Sequence, residues 1–188
     1  GRFAEWAFQV PCGMGRWLPL GVRLDIADGA NRAALTLTRH NRLGGLDLRD
    51  EVTVVVRPDI EWRSFHEKTK AFLGPERAWP AATRPDAAGF DFEPAPGESL
   101  RVEALGGSFH HEPSWAYMVA HPEEKERGLD GNGDLFSPGW FELPLLGKQQ
   151  ATLTAFRRDA WTQAQAGGAA PKEEVPGGPL LPLPEALE

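Results

Sequence analysis

The sequence contains few of the residues on which several classes of protein depend. Cys12 is the single cysteine among 188 residues, so the chain holds no internal disulfide framework and no multi-cysteine zinc site. No apolar run approaches the roughly 20 residues of a membrane-spanning helix, and no signal-peptide pattern opens the chain. We therefore predict that the protein needs neither a membrane nor an oxidising compartment, and that it resides in the cytoplasm.

Positive charge is also scarce. The chain has 27 acidic and 20 basic residues, which gives a formal net charge of −7. Proteins that bind nucleic acid usually present a basic patch or stripe, and no basic run occurs here. Nucleic acid is therefore excluded as an expected partner.

The length and composition are those of one globular domain. Hydrophobic residues make up 41% of the chain and charged residues 25%, and a chain of this length has room for one domain of ordinary size. The sequence starts at Gly1 rather than at a methionine, and residues 1–6 have the pattern expected in the middle of a fold. We interpret the sequence as a piece of a longer polypeptide.

Glycine and proline divide the chain into short segments. The 21 glycines and 17 prolines leave little room for long helices. The segments between them alternate apolar and polar residues, which is typical of strands. Strands are predicted at 3–10, 22–26, 33–39, 51–60, 89–92, 99–104, 109–111, 115–120, 141–145 and 151–156. Many short strands with closely spaced turns predict a mainly β fold, an antiparallel β-sandwich with few short helices.

The remaining segments are predicted to be helical turns, loops or linker. Residues 121–127 and 159–166 are the best candidates for short helices, and residues 68–88 are expected to form a long surface excursion. Alanine, glycine and proline dominate the end of the chain. We therefore assign residues 1–160 to the β-sandwich domain and residues 161–188 to a linker or tail.

Charged, aromatic and imidazole side chains crowd the end of the fourth predicted strand. On an extended chain Trp62 and His66 share one face, and Arg63 lies on the other. A tryptophan stacks on the C–H face of a sugar, while arginine or histidine bonds to its hydroxyls. The alternative, a buried aromatic residue beside a surface Arg–Glu pair, is the one that the residues alone favour.

A second polar run, Asp130-Gly131-Asn132-Gly133-Asp134, has oxygen-bearing residues at alternate positions, as calcium loops do. Leu135 stands where such a loop needs its glycine, and Phe141 stands where it needs its glutamate. A tight turn is therefore the preferred interpretation. We predict no metal site and no cofactor.

The histidines offer a function of another class. His66, His110 or His111 would serve as acid–base groups in a self-contained sugar-active enzyme of the epimerase or lyase type. Adjacent strand residues point to opposite faces, so His110 and His111 do not easily serve one metal ion. Ordinary polar packing is the simpler interpretation, and no pair of carboxylates stands out as hydrolytic, so no catalytic residue is assigned.

Two segments together are more specific than any single motif. Residues 58–69 resemble the strand followed by Arg-x-Phe-His-x-x-Thr in the N-terminal domain of bacterial and archaeal glycogen debranching enzymes. Glu-Arg-Gly-Leu-Asp at 126–130 and Asp-Leu-Phe-Ser-Pro-Gly-Trp-Phe at 134–141 are similar to that family's later motifs. Their order and spacing also agree, and the resemblance extends over residues 20–156.

The resemblance implies a β-supersandwich domain ahead of an (α/α)₆ barrel that cleaves α-1,6 branch linkages in glycogen-like glucans, as an amylo-α-1,6-glucosidase does. In such enzymes the hydrolytic carboxylates belong to the barrel. The resemblance therefore implies that this chain alone is not catalytic. It would bind or orient α-glucan, or brace the barrel.

The resemblance also suggests residues for a tentative glucan-binding site. The matching positions, with Trp62 added as a stacking residue, are Trp62, Arg63, His66, Glu126, Arg127, Asp130 and Asp134. A structural role is favoured for them, in which Arg127 forms a buried ion pair with Asp130 or Asp134. The sequence departs from the family at Gly133, where glutamate is more usual, and it lacks the family's Arg-Arg-Tyr-His opening.

The hypotheses differ in what the surface should present. A glucan-binding domain should expose Trp62, Trp79, Trp115 or Trp140 on a concave face. An enzyme should bring a histidine and a carboxylate together in one pocket. A bracing domain should present a flat apolar patch.

Overall fold

The computed structural model describes residues 1–40, 45–64, 67–147 and 149–158, and these form ten strands, two short helices and one 3₁₀ turn. The strands are β1 (Arg2–Gly13), β2 (Arg16–Ile26), β3 (Arg32–Arg39), β4 (Val52–Val56), β5 (Thr83–Pro85), β6 (Gly89–Ala95), β7 (Glu98–Leu105), β8 (Ser108–Ala120), β9 (Asn132–Leu145) and β10 (Gln150–Arg157). The helices are α1 (Pro75–Ala81) and α2 (Pro122–Glu126), and the 3₁₀ turn is Ala71–Leu73. Neither helix approaches the length and apolarity that crossing a membrane requires.

The strands form two antiparallel sheets. The larger has the order β1-β2-β3-β10-β7-β6-β5, and the smaller has the order β4-β9-β8. β10 pairs with both β3 and β7, so the last strand joins the N-terminal strands to the β5–β7 meander. The prediction of a mainly β, antiparallel sandwich is confirmed.

The core lies between β6 and β7 of the larger sheet and β8 and β9 of the smaller one. Phe90, Phe136 and Phe141 are fully buried, and Phe92 is 1% exposed. Their rings pack at centroid distances such as 6.1 Å for Phe92 and Phe136 and 6.3 Å for Phe90 and Phe141. Burying one such side chain is worth about 1.5–3 kcal/mol, so this aromatic layer is a major source of stability.

The seven-stranded sheet is wider than the three-stranded sheet that packs on it. Trp6 of β1 pairs with Val22 of β2, and Val22 pairs with Leu37 of β3, which belongs to the core. Cross-strand partners share a face of the sheet, so Trp6 points to the inner side, as do Phe8 and Val10. These three side chains are nevertheless 46%, 48% and 39% exposed. The inner face of β1 is therefore uncovered within the described part of the chain.

The predicted boundaries of β9 were too short. The strand begins at Asn132, although Pro138 and Gly139 lie within it. At Gly139 φ is +156°, and a Cβ there would lie 2.1 Å from the carbonyl oxygen of His110. Only glycine fits this close approach, which falls at a β-bulge between β8 and β9. Residues that normally end a strand therefore lie within one here.

The predicted surface excursion at 68–88 is partly wrong. It contains α1, which starts with Pro75 at its first turn, where proline is tolerated. Trp79 of this helix is only 4% exposed and stacks on Trp115 at 5.3 Å. The predicted helical turn at 121–127 is confirmed by α2. The predicted helix at 159–166 and the linker or tail at 161–188 lie outside the described residues.

Candidate functional site

The fold brings the two motif segments side by side. The Ile60 amide donates to the Phe136 carbonyl at 2.7 Å, and the Asp134 amide donates to the Thr69 carbonyl at 2.9 Å. Ile60 and Thr69 therefore both lie against the first half of β9. The order of the motifs in the sequence did not reveal this contact, because it depends on how the strands pair.

Asp134 stabilises this contact between the two motif segments. Its side chain is buried, one oxygen accepts the Ala71 amide at 2.8 Å, and the other accepts the Met118 amide at 3.0 Å. Met118 adopts φ +56°, a left-handed conformation that is uncommon outside glycine. Since both carboxylate oxygens bond to the backbone, Asp134 has a structural role and positions three segments.

Two ion pairs attach the α2 region to residues 68–70. Lys70 Nζ lies 2.8 Å from Asp130 Oδ2 and also donates to the Asn132 carbonyl at 2.9 Å. Lys68 Nζ lies 3.9 Å from a Glu124 oxygen. The hydrogen bond from Lys70, and then that from the Asn132 amide, lower the pKa of Asp130 below its ordinary value.

The hypothesised ion pair of Arg127 with Asp130 or Asp134 is wrong. Arg127 is exposed at the end of α2, and so is Glu126. Asp130 is held by Lys70 instead, and Asp134 by backbone amides. Buried backbone donors need a partner, and Asp134 supplies it without a cation.

Trp62 and Arg63 line a surface depression of about 440 Å³. The Trp62 side chain is 46% exposed there. Arg63 donates through Nε to Glu61 Oε1 at 3.1 Å and through Nη1 to the Glu67 carbonyl at 2.9 Å, which fixes its guanidinium at the rim. The other polar side chains lining the depression are Ser64, Glu67, Lys68, Thr69, Lys70 and Glu98.

The cations of the depression are matched by carboxylates. Arg63 pairs with Glu61, Lys68 with Glu124 and Lys70 with Asp130. The depression is therefore polar without a surplus of positive charge. Such a surface offers hydrogen-bond donors and acceptors, the groups that hydroxyl-rich ligands use.

The six predicted site residues that the structure describes form three groups. Trp62 and Arg63 lie in the depression, while Asp130 and Asp134 support it from the side and from beneath. Glu126 and Arg127 lie on the exposed end of α2 and do not line it. His66 lies outside the described residues.

Sequence reasoning missed Lys68, Lys70 and Glu98 as site residues. Lys68 lies within the first motif segment and Lys70 directly follows it, and their spacing of two is a usable signal. Glu98 comes from the start of β7, and nothing in its local sequence linked it to Trp62. Only the pairing of the sheet brings it to the depression.

The other tryptophans that sequence analysis considered are more buried than Trp62. Trp79 is in the core, and Trp115 and Trp140 are half-buried. Trp140 stacks on His110 with a centroid distance of 4.1 Å, and its indole N–H donates to Glu112 at 3.0 Å. Trp62 is therefore the tryptophan that meets the expectation for glucan stacking.

The geometry gives little support to the hypothesis of a histidine-based sugar-active enzyme. His110 Nε2 lies 3.1 Å from Glu142 Oε2, but both side chains are more than 40% exposed, on the outer face of the smaller sheet. His111 follows on the opposite face, as predicted. Within the described part of the chain no cluster of histidine, cysteine and acidic residues is able to hold a metal ion.

The glycine that departs from the family pattern has a local explanation. A Cβ at Gly133 would lie 2.9 Å from His121 Nε2, and Glu61 Oε1 lies 3.8 Å from the same point. The space that a larger residue would need is taken by His121. In the turn just before it, the Asn132 amide donates to Asp130 Oδ1 at 3.1 Å, so the predicted tight turn is present.

The fold and the site define a two-sheet β-sandwich domain with a tryptophan-lined polar depression. The model of the family described as glycogen debranching enzyme N terminal matches residues 2–152. Since this is more than half of the chain, the protein belongs to that family, and the resemblance of the two motif segments is confirmed. No curated protein and no solved structure matches the chain. The chain is thus an N-terminal accessory domain of a glycogen-debranching-type enzyme.

Proposed function

We propose that the domain binds α-glucan in the depression beside Trp62 and orients it for the catalytic (α/α)₆ barrel of the parent enzyme. The observation that carries this proposal is the exposed indole of Trp62 beside paired polar groups. A sugar would stack its C–H face on the indole and bond its hydroxyls to Arg63 and Glu67. The domain itself hydrolyses nothing, and its cytoplasmic location remains a prediction.

The proposal is tested by calorimetric titration of the chain with maltoheptaose and with glycogen, alongside a glucose-release assay. We expect saturable binding without glucose release. Replacing Trp62 with alanine removes the stacking surface, so we expect about a tenfold loss of affinity, equivalent to about 1.4 kcal/mol.

Trp6→Ala is the matched control, because Trp6 is also 46% exposed but lies on β1. It should leave the affinity unchanged. Equal effects of Trp62→Ala and Trp6→Ala would contradict a site at Trp62. Glucose release by the chain alone would contradict its accessory role.

A second candidate function is bracing the catalytic barrel. The uncovered inner face of β1, with Trp6, Phe8 and Val10, is the apolar patch that this role requires. The test is binding of a separately produced barrel domain to the chain. If the domain braces the barrel, Trp6→Ala weakens that association and Trp62→Ala does not.

A further inference from the structure

Trp62 separates two depressions. Besides the one of about 440 Å³ described above, Trp62 lines a second depression of about 200 Å³. Glu98 also lines both of them. The two are therefore contiguous, and the exposed indole lies at their junction.

The two depressions differ in chemistry. The larger one holds the paired cations Arg63, Lys68 and Lys70. The smaller one is lined by the apolar side chains Ile60, Phe92, Pro94 and Leu100, and also by Glu61, Glu98, Ser99 and Arg157. Arg157 is paired with Glu98 at 3.8 Å. A ligand that crosses Trp62 therefore meets mostly hydrogen-bonding groups on one side and a more apolar surface on the other.

We propose that this site takes a neutral, linear oligosaccharide that crosses Trp62 and occupies both depressions, so that affinity rises with chain length. The inference rests on the proposed glucan binding and adds to it a ligand length and a ligand charge. A pyranose ring has an apolar C–H face and a rim of hydroxyls, which suits both kinds of surface.

The expected charge of the ligand follows from the ion pairs. Each cation in the larger depression already has a carboxylate partner, so an anionic ligand has to displace that partner or face it. A neutral ligand leaves these ion pairs in place. We therefore expect binding that changes little between low and moderate salt, in contrast to binding driven by charge.

The experiment measures the affinity of the chain for maltose, maltotriose, maltotetraose, maltopentaose and maltoheptaose. We expect the affinity to rise by about tenfold or more from maltotriose to maltoheptaose, which is the gain from about 1.4 kcal/mol of added contacts. A short oligosaccharide fills one depression, whereas a longer one gains the second.

Two substitutions separate the depressions. Ser99→Phe places a bulky side chain in the smaller depression and Ser64→Phe places one in the larger. We expect Ser99→Phe to reduce the affinity for maltoheptaose to the level of maltotriose and to leave maltotriose unchanged. Ser64→Phe should weaken both. Ser108→Phe, on β8 away from Trp62, is the control. If Ser99→Phe does not fold, Pro94→Phe is used instead, because Pro94 also lines the smaller depression.

The outcomes distinguish this inference from the proposal on which it rests. Equal affinity for all chain lengths, with no effect of Ser99→Phe, overturns the two-depression site but leaves glucan binding standing. Tighter binding of an anionic sugar such as glucose 6-phosphate than of a neutral sugar of the same length overturns the proposal that the ligand is neutral. Absence of binding to both maltoheptaose and glycogen overturns the proposed function itself.

Discussion

The two halves of the seven-stranded sheet have the same alternating pattern but different surroundings. In the covered half, inner side chains of β6 such as Phe90 and Phe92 are at most 1% exposed, because β8 and β9 pack on them. In the other half, the edge strand β1 is uncovered, and its inner side chains Trp6 and Phe8 are 46% and 48% exposed. Alternation identifies which face of a strand is apolar. It does not show whether a second layer covers that face.

The largest expected effect contrasts Phe136 of β9, which packs on the covered half of the larger sheet, with Phe8 of the uncovered strand β1. Phe136 is fully buried against Trp79, Phe92 and Trp115, so Phe136→Ala should lower the free energy of unfolding by about 3–5 kcal/mol. Phe8→Ala removes the same atoms from a half-exposed position and should cost about 1 kcal/mol or less. Urea unfolding of both variants measures the difference.

A similar decrease in the free energy of unfolding for Phe136→Ala and Phe8→Ala would contradict this comparison. That result would mean that the inner face of β1 is packed in solution. Unfolding curves at two protein concentrations would then show whether a second copy provides the cover, since association makes stability depend on concentration. Unchanged curves would exclude such an association.

A smaller effect is expected at the junction that supports the candidate site. Asp134→Ala leaves the buried Ala71 amide and the partly buried Met118 amide without their acceptor, so it should cost about 1–3 kcal/mol. Asp59→Ala, at an exposed position next to the same segment, is the control and should cost less than about 0.5 kcal/mol. Urea unfolding measures both variants.

The same variant also tests the role assigned to Asp134. Because residues 69–71 line the depression or adjoin it, Asp134→Ala should weaken maltoheptaose binding together with stability. A loss of binding at full stability would show that Asp134 contacts the ligand directly. That outcome would contradict its structural assignment.

The sequence predicts β6, β7 and β10 of the covered half well, because their alternating residues reflect local physics, but it places β5 in the surface excursion at 68–88. It underestimates β9, since Pro138 and Gly139 look like the end of a strand, and the tertiary contact that tolerates them is not local. It places α1 in a loop, because Pro75 and Pro80 are residues that normally indicate a turn. The helix forms nevertheless, since Trp79 packs in the core. Packing decides both cases, and packing cannot be read from neighbouring residues.

The candidate site was predicted in part for the same reason. Trp62 and Arg63 lie in one motif, and their side-chain chemistry identifies them. Asp130 was given the wrong partner, because Arg127 is near in sequence whereas Lys70 is near in space. Glu98 reaches the site only through the order of the strands.

The smallest expected effect concerns the pH dependence of the Lys70–Asp130 pair, just before the start of β9. The pKa of Asp130 is lowered from its ordinary value of 3.8, chiefly by the hydrogen bond from Lys70. A carboxyl group with a lowered folded-state pKa stabilises the fold above its unfolded-state pKa, and that contribution is lost as the pH falls through the folded value. Both groups are partly exposed, so solvent keeps the effect small.

Asp130→Asn removes this titration. The variant should unfold at a slightly lower urea concentration than the parent chain at neutral pH, and the two midpoints should converge as the pH falls from 3.8 through the lowered folded-state pKa of Asp130. Glu126→Gln is the control, because it removes a carboxylate from the same segment at an exposed position. A midpoint difference for Asp130→Asn that stays constant down to the acid transition would show that the pair does not hold α2 against residues 67–71. The support of the depression would then rest on Asp134 and the backbone alone.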